Sequence, residues 1–127
     1  MPAPFVHLRL HTEYSLVDGT VRIQPLIEKV RELGMPAVAV TDQHNLFALV
    51  KFYRAAEAAG IKPIVGADIR LRSPEDPDHV SRLTLLCRDR RGYLNLCDLL
   101  SRAYLEGQHH GVPFARRDWV VDCAEGL

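Results

Sequence analysis

No apolar run in this chain approaches the roughly 20 residues that a helix needs to span a bilayer. The opening Met1-Pro2-Ala3-Pro4 has neither the basic start nor the apolar stretch of a secretory signal. No membrane association is expected, and the expected location is the cytoplasm. Cysteine is scarce and odd in number. Cys87, Cys97 and Cys123 form no C-x-x-C pair, which argues against a disulfide framework or a zinc knuckle. They read as buried or incidental thiols. Net charge is missing too: 16 basic and 16 acidic residues cancel. No overall positive field therefore draws in nucleic acid, and any such contact must be local or supplied from elsewhere. Internal repeats and low-complexity tracts are absent.

What is present suits one domain. The 127 residues are 47% hydrophobic, enough for a core but small enough that losing one element would matter. Phe5 to Leu10 alternates as a strand, with His7, Arg9 and His11 on one face. After a turn at Asp18-Gly19, Thr20 is placed to cap a helix carrying Ile23, Leu26, Ile27, Val30 and Leu33, stopped by Gly34. Ala37 to Val40 reads as a buried parallel strand. A second helix follows, with Leu46, Leu49, Val50, Tyr53 and Ala56 inward and Gly60 closing it. Lys62 to Val65 is a third strand, which Ile69 to Arg72 continues or leaves. Ser73 to Asp78 is a polar, proline-broken loop. Leu83 to Cys87 reads as a strand, Gly92 to Leu105 as a helix, and Arg116 to Val121 as a helical turn around Trp119. Ala124 to Leu127 looks like a helix stop and the first residue of another strand, so the chain is expected to be part of something longer.

Three stretches place metal-grade side chains after apolar runs: His7 to Thr12, Thr41 to Asn45, and Gly66-Ala67-Asp68. From His11 to Asp42 is 31 positions and from Asp42 to Asp68 is 26, close to one strand, one helix and their loops in a parallel βαβ unit. Such spacing brings distant side chains to one sheet edge, where α/β folds bind ligands. Imidazole and carboxylate together suit Zn²⁺ or Mn²⁺, and such ions activate water and clamp phosphate oxygens, so phosphoester hydrolysis is the reaction class to weigh. Each position also has a plain reading as a turn former, cap or satisfied polar group. Arg9 opposes a working site, because its permanent cation would stand where an ion should sit and would pair with Asp42 or Asp68 instead. His44 reads as a solvated residue at a loop or helix start. His79, His109 and His110 read as surface loop residues, and Lys51, Arg54 and Lys62 as a solvated basic edge.

Further stretches carry a resemblance: Phe5-Val6-His7-Leu8, His11 through Gly19, Gly34-Met35-Pro36-Ala37, Val50-Lys51-Phe52-Tyr53, Gly60 through Asp68, Leu83-Thr84-Leu85-Leu86, Gly92-Tyr93 with Asn95-Leu96, and Ser101-Arg102-Ala103-Tyr104. In this order they resemble the N-terminal PHP (polymerase and histidinol phosphatase) domain of bacterial DNA polymerase III alpha subunits, across nearly the whole chain. The resemblance implies an α/β fold, the N-terminal part of a distorted (β/α)7 barrel, with residues 1–127 as its first half and a much longer parent. Metal-binding members carry H-x-H-T, T-D-H-G-N and G-x-E motifs around a trinuclear site. Here His11 and Asp42 match, Asp68 keeps a carboxylate one methylene short, and Arg9 and Gln43 replace histidines.

The implied likeness is to the degenerate PHP domains of proteobacterial alpha subunits. It implies a vestigial pocket of Arg9, His11, Asp18, Asp42, Gln43 and Asp68, no catalytic residue within residues 1–127, and no metal bound there. The parent is implied to be a Mg²⁺-dependent DNA-directed DNA polymerase of chromosomal replication. This segment is implied to be a scaffold that docks a proofreading exonuclease beside other replicase subunits, meeting DNA only through the parent. The competing expectation is an active phosphoesterase or 3'-5' proofreading nuclease. In it His11, Asp42 and Asp68 bind Zn²⁺ or Mn²⁺, with His7 or His44 standing in for missing ligands.

Overall fold

The computed structural model describes residues 4–127. Its elements run α1 (Ile23–Glu32), β1 (Ala37–Val40), α2 (Leu49–Ala58), β2 (Lys62–Arg72), β3 (Val80–Leu86), α3 (Arg90–Leu105) and α4 (Arg117–Asp122). The result is a mixed α/β fold with a three-stranded sheet in the order β1-β2-β3. β1, α2 and β2 form one parallel βαβ unit, Ala37 opposite Lys62 through Val40 opposite Val65. All four residues of β1 are buried, as a strand covered on both faces requires. β3 returns antiparallel, Gly66 opposite Leu86 through Arg72 opposite Val80. Residues 73–79 are too few for the crossover that a parallel partner needs, so this connection closes as a hairpin and departs from a simple β/α repeat. No helix among the described residues is long and apolar enough to cross a membrane.

Several sequence expectations shift. Phe5 to Leu10 is no strand. The segment lies along β1, where Ala39 N–H donates to the His7 carbonyl (2.9 Å) and Thr41 N–H to that of Leu10 (2.8 Å). Those donors are two residues apart and their acceptors three, so one extra residue breaks the alternation, and the Leu10 N–H goes to Thr41 Oγ1 instead (3.0 Å). Leu8 is consequently exposed while Leu10 packs on the core. Helix α1 begins after Arg22 with no side-chain cap, leaving Thr20 outside it. β2 runs on through Asp68, which is therefore mid-strand rather than at a strand end. Ala124 to Leu127 closes as a turn against α3, with Arg88 N–H donating to the Gly126 carbonyl (2.7 Å).

Two apolar clusters flank the sheet. One joins Ile23, Ile27 and Val30 of α1 to Val38, Val40, Phe52, Ala56 and Ile61. The other joins Ala67 and Ile69 of β2 to Leu96, Leu99, Leu100 and Ala103 of α3, with Ala115 and Trp119. The α2 stripe is rotated from the expected one. Ala48, Phe52 and Ala56, four residues apart, face inward, whereas Val50 is 63% and Tyr53 44% exposed. Phe52→Ala should therefore lower unfolding stability by about 3–5 kcal/mol, and Tyr53→Ala by about 1 kcal/mol or less. Urea unfolding of both variants checks this, and similar losses would contradict the rotated stripe.

Candidate functional site

Alternation along β2 builds the site. Ala67 and Ile69 enter the α3 cluster, so Asp68 and Arg70 project from the opposite face. β1 stops at Val40, and the chain beyond it stays beside β2: Asp68 N–H donates to the Asp42 carbonyl (3.0 Å) and His44 N–H to that of Asp68 (2.8 Å). Thus Asp42, Gln43, His44, Asp68 and Arg70 share one edge. The Thr12 to Gly19 loop folds over them. A Cβ on Gly19 would come within 1.8 Å of the Thr12 carbonyl oxygen, so only glycine permits the turn that sets Asp18 in place.

The two buried carboxylates are used differently. Asp42 accepts from Thr12 N–H (2.6 Å), Thr12 Oγ1 (2.7 Å) and Ser15 Oγ (2.8 Å). It is a clasp between β1 and the loop. Asp68 Oδ2 accepts from Arg9 Nε (2.9 Å) and meets His11 Nε2, while Oδ1 accepts from Thr84 Oγ1. The other His11 nitrogen, Nδ1, faces Asp18 Oδ2 at 2.6 Å. Gln43 Nε2 donates to that same oxygen (2.7 Å), and Gln43 Oε1 accepts from Arg70 (2.9 Å). One continuous chain therefore runs Arg70–Gln43–Asp18–His11–Asp68–Arg9. It brings five of the six expected pocket residues into direct contact. The sixth, Asp42, adjoins them through its backbone while its carboxylate faces Thr12 and Ser15.

His44 is not the solvated residue its loop setting suggests. It is 2% exposed and adopts φ 49°, a left-handed conformation unusual outside glycine. Its Nε2 accepts the Arg70 N–H (2.5 Å), and its carbonyl accepts from Tyr104 Oη (2.8 Å). Nδ1 must then carry the proton, and it is buried without a partner. Burial first, then the Arg70 guanidinium, lowers its pKa to about 4, against a smaller opposing pull from Asp68. His7, His79, His109 and His110 are exposed, as are Lys51, Arg54 and Lys62. The three thiols are free and half-buried rather than buried, and burial raises the Cys87 pKa to about 11.

Arg70, Thr84 and Ser15 complete the network but were absent from the expected pocket. Arg70 was within reach of sequence reasoning, since two steps along a continued strand from Asp68 return to the same face. Thr84 was not, because its place opposite Asp68 depends on the antiparallel register.

A fold with a small mixed sheet, carrying acidic and histidine side chains beyond the end of a buried parallel strand, now has a family. The sequence matches the PHP domain over residues 7–127, and the chain belongs to the PHP domain family. Within that family it is 59% identical over 127 residues to DNA polymerase III subunit alpha of Pseudomonas aeruginosa, covering 100% of this chain and 11% of that relative. The Vibrio cholerae and Escherichia coli K12 subunits of the same name are 49% and 48% identical over 97% of this chain, again 11% of each relative. The chain thus spans about a ninth of the length of these relatives. Among solved structures, a Bifidobacterium adolescentis protein assigned to the metal-dependent phosphoesterases superposes with TM-score 0.62 at 23% identity, over 81% of this chain and 34% of that one. A Chromobacterium violaceum amidohydrolase gives 0.61 at 20% identity, over 78% and 33%. At these identities the likeness is one of fold.

Two outcomes follow from the site. Asp42→Asn would turn an amide donor toward a ring of donors, and should cost about 1–3 kcal/mol in denaturant unfolding; an unchanged midpoint would show that the clasp carries no stability. His44 has its ordinary pKa of 6.5 when unfolded and about 4 when folded. Between these values the unfolded chain binds more protons, so stability is complete above pH 6.5 and falls progressively as pH drops toward 4. The loss should total about 3 kcal/mol. Unfolding across that window should show the slope in the parent chain and lose it in His44→Gln.

Proposed function

We propose that this chain is the opening part of a PHP barrel in a replicative DNA polymerase alpha subunit, a scaffold whose metal pocket has been replaced by fixed protein charges. The parent would carry out template-directed DNA synthesis with Mg²⁺ in the cytoplasm, meeting DNA through its other regions. This segment would contribute no catalytic group and would support the docking of a proofreading exonuclease beside other replicase subunits. The identity to alpha subunits supports the parent.

The observation that carries the scaffold role is the Arg9 guanidinium on Asp68. A divalent ion needs several lone pairs converging on open space. Asp42 directs its own to Thr12 and Ser15. Asp68 directs its own to Arg9, His11 and Thr84. Gln43 offers an amide donor to Asp18. Arg9 and Arg70 already supply two cations to the pocket that an ion would otherwise neutralise. Among the described residues no three His, Cys, Asp or Glu side chains are arranged to hold a metal. The residues present do not fit the family's metal group.

Zinc and manganese content of the full-length protein, purified without chelator, tests the reading. The PHP pocket should contribute no transition metal, while Arg9→His with Gln43→His, which removes the cation and adds two imidazoles, should gain it. Stoichiometric metal in the unaltered protein that disappears in His11→Ala would overturn the replacement. Docking is checked separately by titrating a replicative 3'-5' exonuclease subunit into the same protein by calorimetry, where no complex would remove that part.

A further inference from the structure

Leu16 and Val17 are 88% and 103% exposed and Phe47 is 73% exposed, and all three border one cleft of about 360 Å³ beside the pocket. Single apolar residues on a surface are ordinary, but a contiguous apolar rim marks a contact face. The rim is also held in place. Ser15 Oγ donates to Asp42 (2.8 Å), and the N–H groups of Asp18 (2.9 Å) and Gly19 (2.8 Å) both donate to the Ser15 carbonyl, so a closed turn carries Leu16 and Val17 outward. Phe47 N–H donates to Asn45 Oδ1 (3.2 Å). A face fixed in this way loses little entropy when it binds.

The charge at the cleft has one sign. Arg70 lines it, and among the described residues no carboxylate does. Its guanidinium donates to Gln43 Oε1 (2.9 Å). Directly opposite Arg70 in the β2–β3 register stands Arg82, exposed to solvent. Neither arginine makes an ion pair among the described residues. Like charges facing one another across a ladder repel, and an anion between them would relieve the repulsion. His44 lines the same cleft, and its Nδ1 is a buried donor without an acceptor.

We propose that this cleft docks a segment of a partner protein carrying an acidic side chain beside apolar ones. The apolar groups cover Leu16, Val17 and Phe47, and the carboxylate meets Arg70 and Arg82. A nucleic-acid backbone would satisfy the arginines but leave the apolar rim against phosphates. A second copy meeting the face symmetrically would set its own arginines against these.

The inference rests on the scaffold reading and assigns it a surface. A scaffold that lacked this surface would still be free of metal and still bind an exonuclease, so the measurements fail separately. The test selects a phage-displayed random dodecapeptide library on the full-length protein, in parallel with Val17→Asp and Arg82→Glu, two exposed positions outside the pocket network. Peptides enriched on the unaltered protein and lost from both variants should share an Asp or Glu next to apolar residues. As free peptides they should bind each variant about tenfold or more weakly. Enrichment of basic sequences, or peptides indifferent to either substitution, would overturn the proposal. So would the absence of any enriched peptide, which would mean that the face is closed in the full-length protein.

Discussion

The carboxylate of Asp68 is the fixed point on which this edge of the molecule depends. It is 4% exposed, and a charge so placed must be met by donors or it destabilises the fold by several kcal/mol. The groups that meet it come from two places in sequence: Arg9 and His11 before the first helix, and Thr84 on the returning strand. The same residue's backbone joins the strand to Asp42 and His44. Satisfying one buried charge therefore assembles the amino-terminal segment, the end of β1 and the hairpin into a single edge.

Asp42, two residues beyond the end of β1, solves the same problem without a cation. Two hydroxyls and an amide meet it, so it holds the Thr12 to Gly19 loop by hydrogen bonds alone. The division has an electrostatic logic. Asp18 and Asp68 carry the charge that Arg9 and Arg70 balance, while Gln43 and His11 transmit hydrogen bonds between them. The guanidinium of Arg9 is 56% exposed at its side chain while its partner oxygen is buried. That arrangement keeps the cation hydrated and still neutralises the anion, which limits the desolvation that makes fully buried pairs costly.

The sequence made the βαβ spacing, β1, the glycine helix stops and the α3 stripe readable because each depends on local periodicity or on φ, which neighbours in sequence determine. Gly34 and Gly60 do adopt positive φ after their helices. What could not be read depended on partners far along the chain. The slip of residues 7–10 against β1 arises because Thr41 Oγ1 takes a backbone donor. The rotation of the α2 stripe onto Phe52 depends on what α1 presents to it. His44 looked polar and solvated because nothing local marks it as the acceptor for Arg70 N–H. The pocket was legible as a meeting of strand ends, and Arg9 as its intruder, since a permanent cation beside metal-grade residues conflicts on chemistry alone. Its closure by Arg70 and Thr84 required the register of β2 and β3.

On the proposed reading, the exchange of ions for side chains changes what the edge responds to. A metal cross-links its ligands only while it is bound, so a metal-dependent edge loosens when the ion is removed or its ligands are protonated. Arg9 and Arg70 are covalently part of the chain and remain charged at any physiological pH. The edge they brace is therefore present whenever the chain is folded. What it gives up is the open coordination position on which hydrolysis depends. A domain whose task is to hold other components in place gains from that exchange. Its geometry no longer depends on the supply of an ion, and its buried carboxylates retain their positions without a reaction to perform.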